Sequence, residues 1–464
     1  MQKMYSWSHP VCSFQMERFL GCSLSTLSLS AQVQAANAAP QDSETTTVIG
    51  RTLIVRIVLA AATMIASLPN VAQAQDPLVS RQDRTLHERL LTLDSHLDTP
   101  ASLDLPGWSI GEGHNVKSDY TQVDLPRMKR GGLDGGFFAI YTPQGPLTIE
   151  GFNKARDFAI MRGLSIRQMV AADPANFALA LKADDAARIA ASGRRVVYMS
   201  IENAYPLGDD VSLLKTFFDM GVRVVGFAHF AHNQFADSST DPSKKPRYGG
   251  LSPLGRTLLG EMNRLGIVPD ASHSSDQVLD ELIALSSTPV LLTHSGCKAV
   301  YDHPRNIDDD RLRALAAKGG VIQMNAYGAY LRASRPNPER QKALAALFAE
   351  MREDAKLSEA ARARLLTRRQ EIDIRYPDTD RPAFEDFMAH TLHALKVVGP
   401  DHVGIGLDWD GGGGVNGMED VTAVPRITAA LLAAGYSEAD LQKIWSGNVL
   451  RVLAAAEAAA TSKK

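Results

Sequence analysis

The sequence predicts one (β/α)8 barrel, an α/β fold, and three observations predict it. From residue 85 to 455, short apolar, β-branched runs alternate with longer helical patterns, and eight such runs occur in one continuous stretch. Polar residues able to bind metal recur where those runs stop, and in a TIM barrel the strand ends converge on one face. No internal repeat of solenoid length competes with this reading.

Taken in order, strands are expected over 90–94, 136–141, 195–201, 222–228, 266–271, 289–293, 320–324 and 402–407. Helical patterns fill the gaps, among them 153–170, 184–191, 251–265 and 276–285. Residues 330–395 break the plain alternation, because they are long, highly charged and helical, with 339–352 and 358–374 as the main pieces. They read as a helical insertion between strands seven and eight; a solvated hairpin is the preferred account, with a lid or a homodimer contact as the alternative. Ser437 and Asp440 form a Ser-x-x-Asp cap that opens a closing helix over 437–459.

The N-terminus reads differently. Residues 1–50 are Ser/Thr/Ala-rich without apolar periodicity, an extension outside the barrel. Arg51 and Arg56 then precede an apolar run over 57–68, and Ala72-Gln73-Ala74 follows. That is the layout of a secretory signal peptide over 51–74, with cleavage after Ala74 and a periplasmic or secreted product. The run is short of the roughly 20 apolar residues of a membrane span, so no stable span is expected after cleavage. Cys12 and Cys22 would leave with this segment, and Cys297 would remain as a lone buried thiol.

With 464 residues, 45% of them hydrophobic, the chain can bury a barrel-sized core. A formal net charge of −3 gives no basic surface for nucleic acid. No Cys-x-x-Cys is present, which excludes a thiolate zinc site.

Chemistry concentrates at the strand ends. Strand one closes in Asp94-Ser95-His96-Leu97-Asp98, where His96 and Asp98, two apart on a strand, point to one side and can grip one ion. Glu202 follows a buried run, and a carboxylate there must be paired or metal-bound. A bridging role for Glu202 is preferred, with His273 and His294 supplying a second metal. Imidazole with carboxylate suits zinc. Two ions about 3.5–4 Å apart would hold a hydroxide between them. Arg305 offers a guanidinium fork for a substrate carboxylate, against the alternative of a loop salt bridge within 308–310. His229, ending strand four, could donate to an oxyanion, against the alternative of a core histidine. Asp408 can take a proton from attacking water and pass it to a leaving group. Asp410 and glycines 411–414 are read as shaping the loop, His232 as lying beside the site or exposed, and His87, His114, His303, His390, His393 and His402 as structural or surface residues.

The segments Asp94-Ser95-His96-Leu97-Asp98-Thr99-Pro100, Gln122-Val123-Asp124-Leu125-Pro126-Arg127, 270–273, His294 with Arg305-Asn306, 403–411 and Gly447-Asn448-Val449-Leu450-Arg451 together resemble the membrane dipeptidase (renal dipeptidase) family, in order, over roughly 85–455. The resemblance implies an amidohydrolase-like barrel and a dipeptidase with two zinc ions. His96 and Asp98 would bind one ion, Glu202 would bridge, and His273 and His294 would bind the other. It also implies substrate roles for His229, Arg305 and Asp408, and tolerance of a C-terminal D-residue. Three departures touch detail rather than ligands: Leu97 in place of the usual Asn, Ser95 where Gly is common, and Asn203-Ala204 in place of a small Gly-rich pair. Another barrel hydrolase, such as a lactonase, and a non-catalytic exported metal-binding protein are the competing readings. The first would usually carry a carboxylated Lys where Glu202 stands.

Overall fold

In the computed structural model the chain is described for residues 76, 78–353 and 358–461. The expected extension 1–50, the signal peptide 51–74, Cys12 and Cys22 lie outside the described residues.

Among the described residues ten parallel-paired strands follow in chain order: β1 (Leu93–Leu97), β2 (Gly135–Ile140), β3 (Phe177–Leu179), β4 (Arg195–Ile201), β5 (Val222–Gly226), β6 (Val268–Asp270), β7 (Leu291–Cys297), β8 (Asn306–Ile307), β9 (Val321–Met324) and β10 (Val403–Ile405). Eight of them form the barrel in the order β1-β2-β4-β5-β6-β7-β9-β10, while β3 adds to β4 and β8 to β7. All eight expected strands are present. The barrel closes between its first and last strands by a parallel bridge from Leu97 to Trp409. The Asp98 amide donates to Trp409 O at 2.9 Å, and Asp94 Oδ1 accepts from the amides of His96 (2.9 Å) and Leu407 (3.1 Å). A Cβ at Gly406 would collide with Thr293 O of β7 and crowd Ser95 Oγ of β1, so only glycine fits beside this seam.

Most boundaries differ from expectation by one to four residues, and the largest shifts fall at β1 and β7. β1 starts at Leu93 because Leu90 still belongs to the turn leaving the helix Arg81–His87, its amide donating to His87 O. β7 runs on to Cys297 because Gly296 and Cys297 pair with β8.

The core has two layers. Leu93, Val196, Val224, Val268, Leu291 and Val321, from the early ends of the strands, pack inside the barrel with Val449, Val452, Leu453 and Ala456 of the C-terminal helix Asn448–Thr461. That helix therefore plugs the floor, opposite the strand ends that carry the candidate site. Its approach is set by the capping box of Ser437 and Asp440, whose amides each bond the other's side chain, as the spacing predicts. The larger layer lies between strands and outer helices.

The helical insertion between the seventh and eighth barrel strands, β9 and β10, is narrower than 330–395. Helices Pro338–Glu353 and Glu359–Arg375 form the hairpin, around a small apolar cluster of Leu344, Leu347, Phe348 and Leu365. It is tied to the loop after β1: Tyr120 Oη donates to Asp373 at 2.6 Å and Gln370 Nε2 to Ser118 O at 3.1 Å. The next helix, Phe384–Val398, buries Phe387, Met388, Ala394 and Leu395 and belongs to the barrel proper. Among the described residues no helix is long and apolar enough to cross a membrane.

Candidate metal centre

Each functional side chain stands at a C-terminal strand end. His96 and His294 lie within β1 and β7; Asp98 and Glu202 each follow a strand by one residue; His229, His273 and Asp408 follow β5, β6 and β10 by three. Asp98 has left the extended conformation (φ −84°, ψ 8°), so it is not the strand alternation alone that faces it toward His96. The bond of its amide to Trp409 O turns it there, and Asp98 Oδ2 reaches 3.4 Å from His96 Nε2. His273 (φ 66°) and Asp408 (φ 63°) occupy the left-handed region, rare outside glycine and costing about 1–3 kcal/mol each. His273 is held there by Ser239, whose amide donates to its carbonyl at 2.9 Å, and Asp408 by the amide of Gly413 at 2.7 Å.

Glu202 is the hub. Its Oε1 lies 3.2 Å from His273 Nε2, 3.3 Å from His229 Nε2, 3.6 Å from His294 Nε2 and 3.8 Å from His96 Nε2. His273 and His294 bring their Nε2 atoms to 2.8 Å. Potential donor atoms fall into three overlapping groups, each within 4.8 Å: His96, Glu202 and His294; Glu202, His229 and His273; and His96, Asp98 and Asp408.

These donors fit bound cations. Glu202 Oε2 and His96 Nε2 are buried and make no hydrogen bond among the described residues. Burial, with Asp98 nearby, pushes the Glu202 carboxyl far above its ordinary range. Burial raises Asp408 to about 7, with His96 opposing and Asp98 reinforcing. Burial pulls His96 down, but Asp98, Glu202 and Asp408 outweigh it and hold the imidazole at about 10. Three dry carboxylates thus compete for positive charge. Burial keeps His273 and His294 neutral, the form that ligates metal.

Arg305 is buried beside this cluster. Its Nη2 donates to His294 O at 2.9 Å and its Nη1 to Ser295 Oγ at 3.2 Å, and its guanidinium sits 5.2 Å over the Tyr330 ring. The loop acids have other partners: Asp308 pairs with Arg311, Asp310 with Arg313 and Asp309 with His393. The salt-bridge alternative for Arg305 is thereby excluded. His229 packs between Tyr141, Phe230 and His273, with ring centroids 4.8, 3.9 and 4.2 Å away. A pocket of about 230 Å³, its open mouth included, is lined by Glu202, His229, His273 and Asp408 with Phe230, Tyr327, Tyr330 and Gly411.

The remaining expectations can be located. Asp410 shapes its loop, accepting from Thr99 Oγ1 at 2.7 Å and the Gln122 amide at 2.6 Å. Ser95 uses its hydroxyl on Thr293 O (2.6 Å) and Ile405 O (3.1 Å), tying strands where glycine could not. Asn203 links the turn after Glu202 to Gln144 and Asn233. Cys297 is buried and free, and His87 and His390 are buried and hydrogen-bonded. Sequence reasoning missed Asn325, a buried residue near enough to Asp408 to oppose the rise of its carboxyl. Its signal was available, since it directly follows β9. Phe230, Tyr327 and Tyr330, the aromatic walls, carried no signal beyond standing near strand ends.

Comparison with known proteins gives one consistent answer. The family model described as membrane dipeptidase (peptidase family M19) matches residues 80–464. Dipeptidase tcpJ of Claviceps purpurea is 31% identical over 74% of this chain and 71% of its own length. Dipeptidase aclJ of Aspergillus oryzae is 28% identical over 74% and 72% respectively. Among solved structures, the probable dipeptidase PvdM from Pseudomonas aeruginosa has a TM-score of 0.68 at 31% identity, covering 82% of this chain and 98% of that one. A metallopeptidase from Rhodobacter sphaeroides, liganded with a phosphinate mimic of the dipeptide L-Ala-D-Ala, has a TM-score of 0.61 at 25% identity, covering 79% and 99%.

Proposed function

We propose that this chain, which belongs to the membrane dipeptidase family (peptidase family M19), is a two-zinc dipeptidase that hydrolyses the single amide of free dipeptides. The observation that carries the reading is the position of Glu202, a buried carboxylate with histidines around Oε1 and a second oxygen that makes no hydrogen bond among the described residues. His96 and Asp98 would hold one ion, His273 and His294 the other, and Glu202 would bridge. A nitrogen–oxygen donor set without thiolate suits zinc. Bound there, the pair supplies an acidified water and a Lewis acid for the scissile carbonyl.

The chain's own residues supply the rest. Arg305, already oriented by two bonds, leaves its Nε without a partner among the described residues and binds the substrate's terminal carboxylate. His229 donates a hydrogen bond to the developing oxyanion. Asp408, raised by burial toward neutral pH, takes a proton from the attacking water and returns it to the leaving amine. The carboxylates around Asp408 favour a free α-amino group. A tripeptide shifts one of the two end charges by roughly 3.3–3.6 Å, leaving a buried charge unmatched at a cost of several kcal/mol. The carboxylate clamp reads the end group rather than the last side chain, so C-terminal D-residues are accepted. The ligand in the Rhodobacter relative, a mimic of L-Ala-D-Ala, supports that extension. The segment 51–74 supports export to the periplasm or medium, with Gln75 as first residue of the mature chain.

The test is a panel of free dipeptides, including L,D pairs, with N-acetyl dipeptides and tripeptides, assayed with and without chelator. Hydrolysis confined to free dipeptides and abolished by chelation is expected. Equal cleavage of blocked or longer peptides would overturn the two-ended reading.

A further inference from the structure

We infer that Thr293 and Asp270 are positioning residues for His294, forming a buried relay that fixes which ring nitrogen faces the metal centre. This rests on the proposed metal centre and concerns residues that line no part of the pocket. His294 directs Nε2 inward, 3.6 Å from Glu202 Oε1 and 2.8 Å from His273 Nε2. Its other nitrogen, Nδ1, lies 3.0 Å from Thr293 Oγ1. The Thr293 hydroxyl in turn donates to Asp270 Oδ2 at 2.6 Å. A hydroxyl carries one proton, and an ionised carboxylate can only accept. With that proton committed to Asp270, Thr293 Oγ1 must accept from Nδ1–H. The imidazole is thereby locked with its Nε2 lone pair toward Glu202.

Asp270 is itself immobilised. Its Oδ1 accepts from the amides of Ser272 (2.9 Å) and Thr293 (3.0 Å), so the relay is anchored across β6 and β7. Asp270, Thr293 and His294 are all buried, where no bulk water competes for these bonds. His273, the other imidazole of the pair, has no such support: its Nδ1 is buried and makes no hydrogen bond among the described residues. One ligand of the second ion is therefore preoriented and the other is not. A hydrogen-bonded outer partner of a ligating histidine contributes about 10- to 100-fold to metal affinity, and that contribution falls here on Thr293.

Thr293→Val keeps the shape of the side chain and removes the relay; Thr293→Ser keeps the hydroxyl. Zinc affinity is measured by competition against a chelator, with stoichiometry by elemental analysis. Thr293→Val should weaken one of two ions about 10- to 100-fold and leave the other as in the parent, and Thr293→Ser should restore both. If Thr293→Val does not fold, Thr293→Ala carries the same expectation. Parent-like zinc affinity in the Val variant, or equal weakening by Val and Ser, overturns the relay alone. A parent protein that takes up no zinc overturns the metal centre and the relay together.

Discussion

His229 Nε2 lies 3.3 Å from Glu202 Oε1, as near as His273 at 3.2 Å and nearer than His294 at 3.6 Å. Distance alone would make it a metal ligand. Its ring, however, lies against Tyr141 and Phe230 at the pocket wall, where a substrate oxygen would sit. His229→Ala should therefore keep both ions and lower kcat by about 10²–10³, the usual effect of removing an oxyanion donor. Metal content and kcat on the same sample decide it, and loss of an ion would make His229 a ligand.

Glu202 and His273 should differ in what their loss does. Glu202→Gln should weaken both ions together, because the hub carboxylate belongs to two of the three donor groups. His273→Ala should empty mainly one. Elemental analysis after gel filtration reads the difference, and full activity with at most one ion per chain would rule out the bridge.

Binding and turnover should separate between Arg305 and Asp408. Removing a charged hydrogen-bonding partner costs about 1.5–3 kcal/mol, so Arg305→Ala should raise KM for dipeptides about 10- to 100-fold with metal content unchanged. Arg305→Lys should not restore it, since a point charge cannot replace the fork. Asp408→Asn should bind substrate and metal but lose about 10²–10⁴ in kcat. Near-normal turnover in that variant would send the proton by another route.

Stability should fall with acid through His87, far from the metal centre. Burial lowers this imidazole to about 4, where its Nδ1 meets Thr428 Oγ1 at 2.7 Å and its Nε2 donates to Gly131 O at 3.0 Å. The unfolded chain takes up its proton near 6.5, so the contribution is complete above that pH and fades from 6.5 down to about 4. The full span is worth about 3 kcal/mol. Denaturant melts of metal-free parent and His87→Gln at pH 7 and pH 4.5 should show the gap between them narrowing with acid. A constant gap would show that His87 titrates alike folded and unfolded.

Most of the barrel was readable because the strands are short runs buried on both faces, rich in β-branched residues in β4, β5 and β9. The candidate ligands were readable because every one stands within three residues of a strand end. What escaped has physical causes. Asp98 faces His96 through a bond to Trp409 from the far end of the chain, which a two-residue spacing cannot reveal. Asn325 follows β9 as the ligands follow their strands, but a neutral amide carries no charge to mark it as part of the cluster. The pairing of Asp270 with Thr293 joins two strands, and the sequence shows both residues without showing that they meet. The insertion was drawn too long because the apolar face of the helix Phe384–Val398 was not separated from the charged hairpin before it.

The seam between β1 and β10 also imposes an order in time. Asp94 and Leu407, which close it, are 313 residues apart, and His96, Asp98 and Asp408 form one donor group across it. A ribosome releases the first of these residues long before the last exists. Joining such distant segments demands loop closure before any contact rewards it, which makes it slow. The nascent chain therefore carries its histidines through most of its synthesis before Asp408 can join them across the seam. In refolding experiments zinc uptake should track the slowest phase, well after helical signal has recovered. Uptake in the earliest phase would mean the centre assembles before the barrel shuts.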